Sequence, residues 1–162
     1  MYNTTIAKLL AKENIEVQYG NYKTAWFDIE SRTLGLPLWK DMGKDVHDLL
    51  VGHEVGHALY TPYEGWHDSP TNVEKLLGCP RSYINVVEDA RIEKKIRSQY
   101  PGLVGPMARG YKVLADEEFF GDISDVDFDQ VKLIDKINLK AFFIFVFSFT
   151  KGIFLCVSIK SS

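Results

Sequence analysis

Leu49-Leu-Val-Gly-His53-Glu54-Val-Gly-His57-Ala-Leu-Tyr60 is an apolar run broken only by two histidines and one glutamate. On a helix, residues four apart lie one turn above each other on the same face. His53 and His57 can therefore hold one metal ion from adjacent turns, with Glu54 beside them to take a proton from a water on that ion. A lone carboxylate in an apolar helix costs desolvation with nothing to offset it, so a purely structural helix has little reason to keep Glu54.

The helical period starts near Lys44. Val46, Leu50, His53, His57 and Tyr60 form one stripe, and Leu49, Gly52, Gly56 and Leu59 a second. The two glycines weaken an isolated helix by about 1 kcal/mol each, which points to close packing against a neighbouring element. Pro62 stops the helix.

Upstream, Thr4 to Lys12 reads as a short helix carrying Ile6, Leu9 and Leu10 on one face, with Asn3 or Thr4 as its cap. Ile15–Tyr19, Thr24–Ile29 and Thr33–Leu38 read as three short strands, expected to be antiparallel, with turn signals at Gly20-Asn21 and Glu30-Ser31. Pro37 places the third strand at an edge or ends it there. Downstream lie a Tyr/Gly/Trp/Pro-rich loop from Thr61 to Pro70 and a short helix near Asn72–Leu77. A strong helix follows from Ser82 to Gln99, and a third from Pro106 to Phe120. An acidic loop then begins at Gly121 and a last helix near Gln130. The class is α+β: a small antiparallel or mixed sheet packed on the active-site helix, with a mostly helical second half.

Two histidines leave a zinc ion under-coordinated, so a third protein ligand is needed. The extended pattern HExxHxxGxxH is excluded, because Tyr60 and Tyr63 stand where it needs Gly and His. His67 and Cys79 have no spacing that recommends them. The better segment is Asn85-Val-Val-Glu88-Asp89-Ala-Arg91-Ile-Glu93, where acids crowd an amphipathic helix and buried charge demands a partner. Glu88 is the expected ligand and Asp89 its rival. Asp89 or Asn85 would otherwise hold a histidine N–H from behind.

A helix, short strands, the HExxH helix and a second helix bearing a glutamate resemble the gluzincin group of zinc metallopeptidases. The strings His53-Glu-Val-Gly-His-Ala-Leu-Tyr-Thr-Pro62 and Asn85-Val-Val-Glu-Asp-Ala-Arg-Ile-Glu93 are similar to those of predicted peptidases of large tailed bacteriophages, some of which carry a following von Willebrand factor A-like domain. The resemblance covers about residues 1–140 and implies a zincin-like fold, with Zn2+ held by His53, His57 and Glu88. It also implies peptide-bond hydrolysis through a metal-activated water, with Glu54 as general base. A developing oxyanion needs a further donor, for which Tyr60, Tyr63, His67 and Arg91 are the candidates. A third strand at the sheet edge would pair with an extended peptide substrate. Two rival functions are a metal-binding scaffold without turnover and a zinc amidase acting on a non-protein substrate.

The chain has 162 residues, enough for one self-sufficient core. A net charge of −3 and the lack of a Lys/Arg cluster argue against a nucleic-acid partner. Cys79 and Cys156 are far apart and form no disulfide framework, which suits a reducing compartment. The first ten residues do not read as a secretory leader, so the expected location is cytoplasmic, in the host if the chain is phage-encoded.

Near Lys140 the composition changes. Residues 141–162 hold six of the ten Phe, two Lys and no acid. The stretch 141–159 is long enough to cross a bilayer, but Lys151 near its middle opposes that by roughly 2.5–3.5 kcal/mol. A strand pair turning at Lys151-Gly152 would need cover on both faces. The preferred reading is a non-native or truncated tail appended to a 1–140 zincin-like domain.

Overall fold

The structure, a computed structural model, describes residues 7, 11–64, 74–76, 78 and 80–117. It is α+β, with a small three-stranded sheet followed by helices. The strands are β1 (Glu16–Gly20), β2 (Trp26–Asp28) and β3 (Thr33–Pro37). The helices are α1 (Lys44–Tyr60), α2 (Arg81–Gln99) and α3 (Val104–Asp116), with a 3-10 turn at Pro101–Leu103 before α3.

The sheet is mixed, the second of the two arrangements expected, in the order β1-β3-β2. β3 pairs parallel with β1 and antiparallel with β2. This overturns the expectation of an edge position for Thr33–Leu38, because β3 is central and all five of its residues are buried. Strand addition onto β3 therefore falls as well. Pro37 ends the strand instead. It stands opposite Gly20 in the last pair of the ladder, and the N–H of Leu38 donates to Gly20 O at 2.9 Å, so proline's missing donor is not needed.

Leu34 and Leu36 turn to the core and are fully buried, each worth about 1.5–3 kcal/mol of apolar burial. On the other face a Cβ at Gly35 would fall 2.1 Å from the Trp26 indole, so only glycine lets that ring lie across the sheet. The β2–β3 turn is closed by Asp28, whose Oδ1 accepts the N–H groups of Glu30 and Ser31 at 2.8 and 3.1 Å. Arg32 takes a left-handed φ of 55° there. Its guanidinium reaches Glu13 and donates to Ala58 O, which ties the hairpin to the last turn of α1.

α1 lies at the centre, packed against α2, α3 and the sheet. Both of its apolar stripes are therefore used, and Val51 and Val55 are buried to 2% and 0% exposure. The glycines permit the contacts. A Cβ at Gly56 would sit 2.9 Å from Ile92 Cδ1 on α2, and one at Gly52 3.3 Å from Met107 Sδ on α3. The closest approach comes from α3, where a Cβ at Gly110 would stand 2.5 Å from Asp45 O. Arg109 reinforces this crossing with paired bonds to Asp45 at 2.8 and 2.9 Å.

α1 and α2 match their expected spans within one or two residues. α3 begins two residues before Pro106, which sits in its first turn, where the missing N–H has no helical partner to lose. Residues 74–76 are helical, as expected near Asn72–Leu77. Most of the Thr4–Lys12 helix, His67, both cysteines, the acidic loop, the last helix and the 141–162 tail lie outside the described residues. Among the described residues no helix is long and apolar enough to cross a membrane.

Candidate metal centre

His53 and His57 project from successive turns of α1 with ring centroids 5.1 Å apart and planes at 73°. What aims them is the partner on each Nδ1. His57 Nδ1 lies 2.9 Å from Thr61 Oγ1, and the Thr61 hydroxyl donates to Glu88 Oε1 at 2.5 Å. A hydroxyl has one proton, so its oxygen must accept from His57 Nδ1–H. His53 Nδ1 lies 2.9 Å from Glu93 Oε1, which also accepts the Tyr111 hydroxyl. A carboxylate only accepts, so His53 Nδ1 is likewise the donor. With each Nδ1 engaged, Nε2 is the ring nitrogen each histidine can offer to a metal once it has lost its proton.

The two Nε2 atoms meet at Asp89. Its Oδ1 lies 3.3 Å from His57 Nε2 and 3.8 Å from His53 Nε2. One ligand atom from each of these three residues falls within 4.8 Å of the others. Around a tetrahedral zinc ion with bonds of about 2.0–2.1 Å, ligand atoms stand roughly 3.3 Å apart. The two distances to Asp89 approach that figure, and two imidazoles with one carboxylate are a suitable donor set.

Glu88 is placed differently from its sequence assignment. Its side chain is 8% exposed, against 43% for Asp89, and it turns away from the Nε2 atoms. Arg91 holds it with Nε at 2.6 Å from Oε2 and Nη2 at 2.7 Å from Oε1. The same guanidinium donates to Tyr60 O at 2.6 Å. Burial alone would lift the Glu88 carboxyl, but the Arg91 and Thr61 hydrogen bonds outweigh it and hold it below its ordinary range. Glu88 is thus an anchor behind His57, and Asp89 faces the imidazoles.

Glu54 is buried, and burial raises its carboxyl above the ordinary range, against the pull of His53 and His57. Burial disfavours a charged His53 ring. The Glu93 hydrogen bond and the charges of Glu54, Glu93 and Asp89 outweigh it and push the pKa to about 9. Three carboxylates converging on one ring make a setting that favours a cation. Tyr111 is pushed well above its usual value by burial and by Glu93, so it stays a hydrogen-bond donor.

Glu54, His57 and Asp89 open into a cleft of roughly 280 Å³. Glu54 and His57 form its floor, Asn85 and Asp89 of α2 one wall, and Trp26, Phe27 and Ile29 of the β2 hairpin the other. Of the oxyanion candidates, Tyr60 donates to Gln99 and Arg91 is committed to Glu88 and Tyr60 O. Tyr63 is 50% exposed, and His67 lies outside the described residues. Asn85 is the described amide that lines the cleft with Asp89, one helical turn away.

The sequence reading did not single out Thr61, Tyr111 or the role of Glu93. Two of them carried a signal: Thr61 continues the spacing His53, His57 by four, and Glu93 stands four after Asp89. Tyr111 comes from another helix, and its contact depends on the α1–α3 crossing. No match was found among protein-family models, curated proteins or solved structures.

Proposed function

We propose that the chain is a zincin-like metallopeptidase domain that binds Zn2+ through His53, His57 and Asp89 and hydrolyses peptide bonds with Glu54 as general base. The observation that carries this reading is the pinning of both Nδ1 atoms as donors, which turns both Nε2 atoms toward one carboxylate oxygen. When bound, the cation would polarise a water molecule and the substrate carbonyl. Glu54, on the floor of the same cleft, accepts the proton and returns it to the leaving amine. Asn85 is the donor within reach of the cleft for charge developing on the carbonyl oxygen.

The opposite wall bears on substrate. β2 is an edge strand of the sheet and lines the cleft, so an extended peptide can lie along it. Trp26, Phe27 and Ile29 line that side of the cleft. Two histidines and a carboxylate also suit iron(II); the Glu54 side chain lining the same cleft, placed to take a proton from a water, is what favours hydrolysis. The test is cleavage of a peptide library by the zinc-loaded chain, with Glu54→Gln as control. The expected result is peptide cleavage that this substitution lowers by roughly 10²–10⁴-fold. Equal turnover by the variant, or zinc bound without cleavage of any peptide, would refute the assignment.

A further inference from the structure

A metal site needs its imidazoles aimed as well as present, and two separate chains of side chains do this here. Behind His57 run Thr61, Glu88 and Arg91, with successive contacts of 2.9 Å, 2.5 Å and 2.6–2.7 Å. Behind His53 stand Glu93, at 2.9 Å, and Tyr111. We propose that Thr61 and Glu93, the latter held by Tyr111, are positioning residues that lock both imidazoles with Nε2 toward the cation and set its affinity. This rests on the metal reading above and extends it to residues that touch no ligand.

A purely structural role explains these residues less well. Threonine at a helix end ordinarily returns its hydroxyl to a main-chain carbonyl one turn back. Here the backbone N–H of Thr61 serves His57 O at 3.0 Å, and the buried hydroxyl bridges the ring and Glu88 instead. Glu93 is 6% exposed, and its Oε1 is given to an imidazole and a phenol. The two chains also differ in kind. His53 has a carboxylate directly behind it, whereas His57 has a neutral hydroxyl with a carboxylate one step further. Glu93 should therefore matter more than Thr61.

The experiment measures Zn2+ affinity by competition with a chromogenic chelator, together with the visible spectrum of the Co2+-loaded chain. The variants are Glu93→Gln, Tyr111→Phe, Thr61→Val and Thr61→Ser, each checked for fold by circular dichroism. Glu93→Gln and Thr61→Val should weaken zinc roughly 10–100-fold and alter the cobalt spectrum, with Glu93→Gln nearer the upper figure. Tyr111→Phe should weaken it less, and Thr61→Ser should bind as the parent does. A measurement on the unaltered zinc-loaded chain needs no variant: long-range 15N–1H correlation should show both imidazoles protonated at Nδ1. Parent-like affinity in folded Glu93→Gln and Thr61→Val, or Nε2 protonation in the loaded parent, overturns the proposal alone. A parent chain that takes up no zinc overturns the metal reading and this proposal together.

Discussion

Asp89 Oδ1 lies 3.3 Å from His57 Nε2, while the Glu88 carboxylate next to it in sequence is turned onto Arg91 at 2.6 Å. Two adjacent acids on one helix thus have opposite duties, which single substitutions separate. Asp89→Ala should reduce zinc affinity by more than the roughly 10–100-fold expected of an outer partner, with thermal stability of the metal-free chain nearly unchanged. Glu88→Gln should do the reverse, lowering stability by about 1–2 kcal/mol with a smaller loss of zinc. That figure is below the ~3–5 kcal/mol of a fully buried pair because the Arg91 side chain is 37% exposed. Denaturant unfolding and metal competition on the same preparations check both.

Glu54→Gln should keep the cation and lose the reaction. The side chain lines the cleft but lies outside the His53, His57 and Asp89 group, so zinc content should match the parent. General-base catalysis is worth about 10²–10⁴ in rate, and peptide turnover should drop by that factor. Single-turnover assays at saturating substrate measure it.

The glycines of the α1 crossings give a graded series. Alanine gains about 1 kcal/mol of helix propensity at each. At Gly52 the new Cβ meets the flexible end of Met107 at 3.3 Å, so Gly52→Ala should be neutral or slightly stabilising. At Gly56 it meets Ile92 Cδ1 at 2.9 Å, which can shift at a cost of about 1 kcal/mol net. At Gly110 it meets backbone, Asp45 O at 2.5 Å, and the helices must part. Gly110→Ala should therefore destabilise by about 3 kcal/mol in urea unfolding.

His47 supplies a pH dependence away from the metal centre. It is buried, and burial holds its pKa below the ordinary value of 6.5, against a smaller upward pull from Asp48. A depressed histidine contributes stability that is fully present above 6.5 and lost as pH falls through the lowered folded value. His53 acts with the opposite sign, since its raised pKa stabilises below 6.5 and the contribution fades as pH rises through about 9. The difference between the parent and His47→Gln isolates the first effect. Gln keeps a partner for the Tyr19 hydroxyl, 3.1 Å from His47 Nε2. Metal-free parent melting temperatures should fall more steeply from pH 7 to pH 5 than those of the variant.

Local patterning made much of this legible. The run from Lys44 to Pro62 specified α1 and its ends, and Gly52 and Gly56 foretold close packing. The three strands were legible from alternation in the first and from β-branched or aromatic residues between turn signals in the others, but their order was not. Parallel pairing of β1 with β3 is a long-range choice, and a proline ending a central strand looks in sequence like one on an edge strand. Glu88 and Asp89 differ by 100° of rotation on one helix. Which of them faces the imidazoles was decided by Arg91 and Thr61 capturing Glu88, and no single-helix pattern contains that contact.

The account stands most directly on a cation being held by His53, His57 and Asp89. Zinc content should be measured by mass spectrometry after loading and desalting, on the parent and on His53→Ala/His57→Ala. The account predicts close to one zinc per parent chain and almost none on the double variant. Equal zinc on the two, or none on a folded parent, would contradict it.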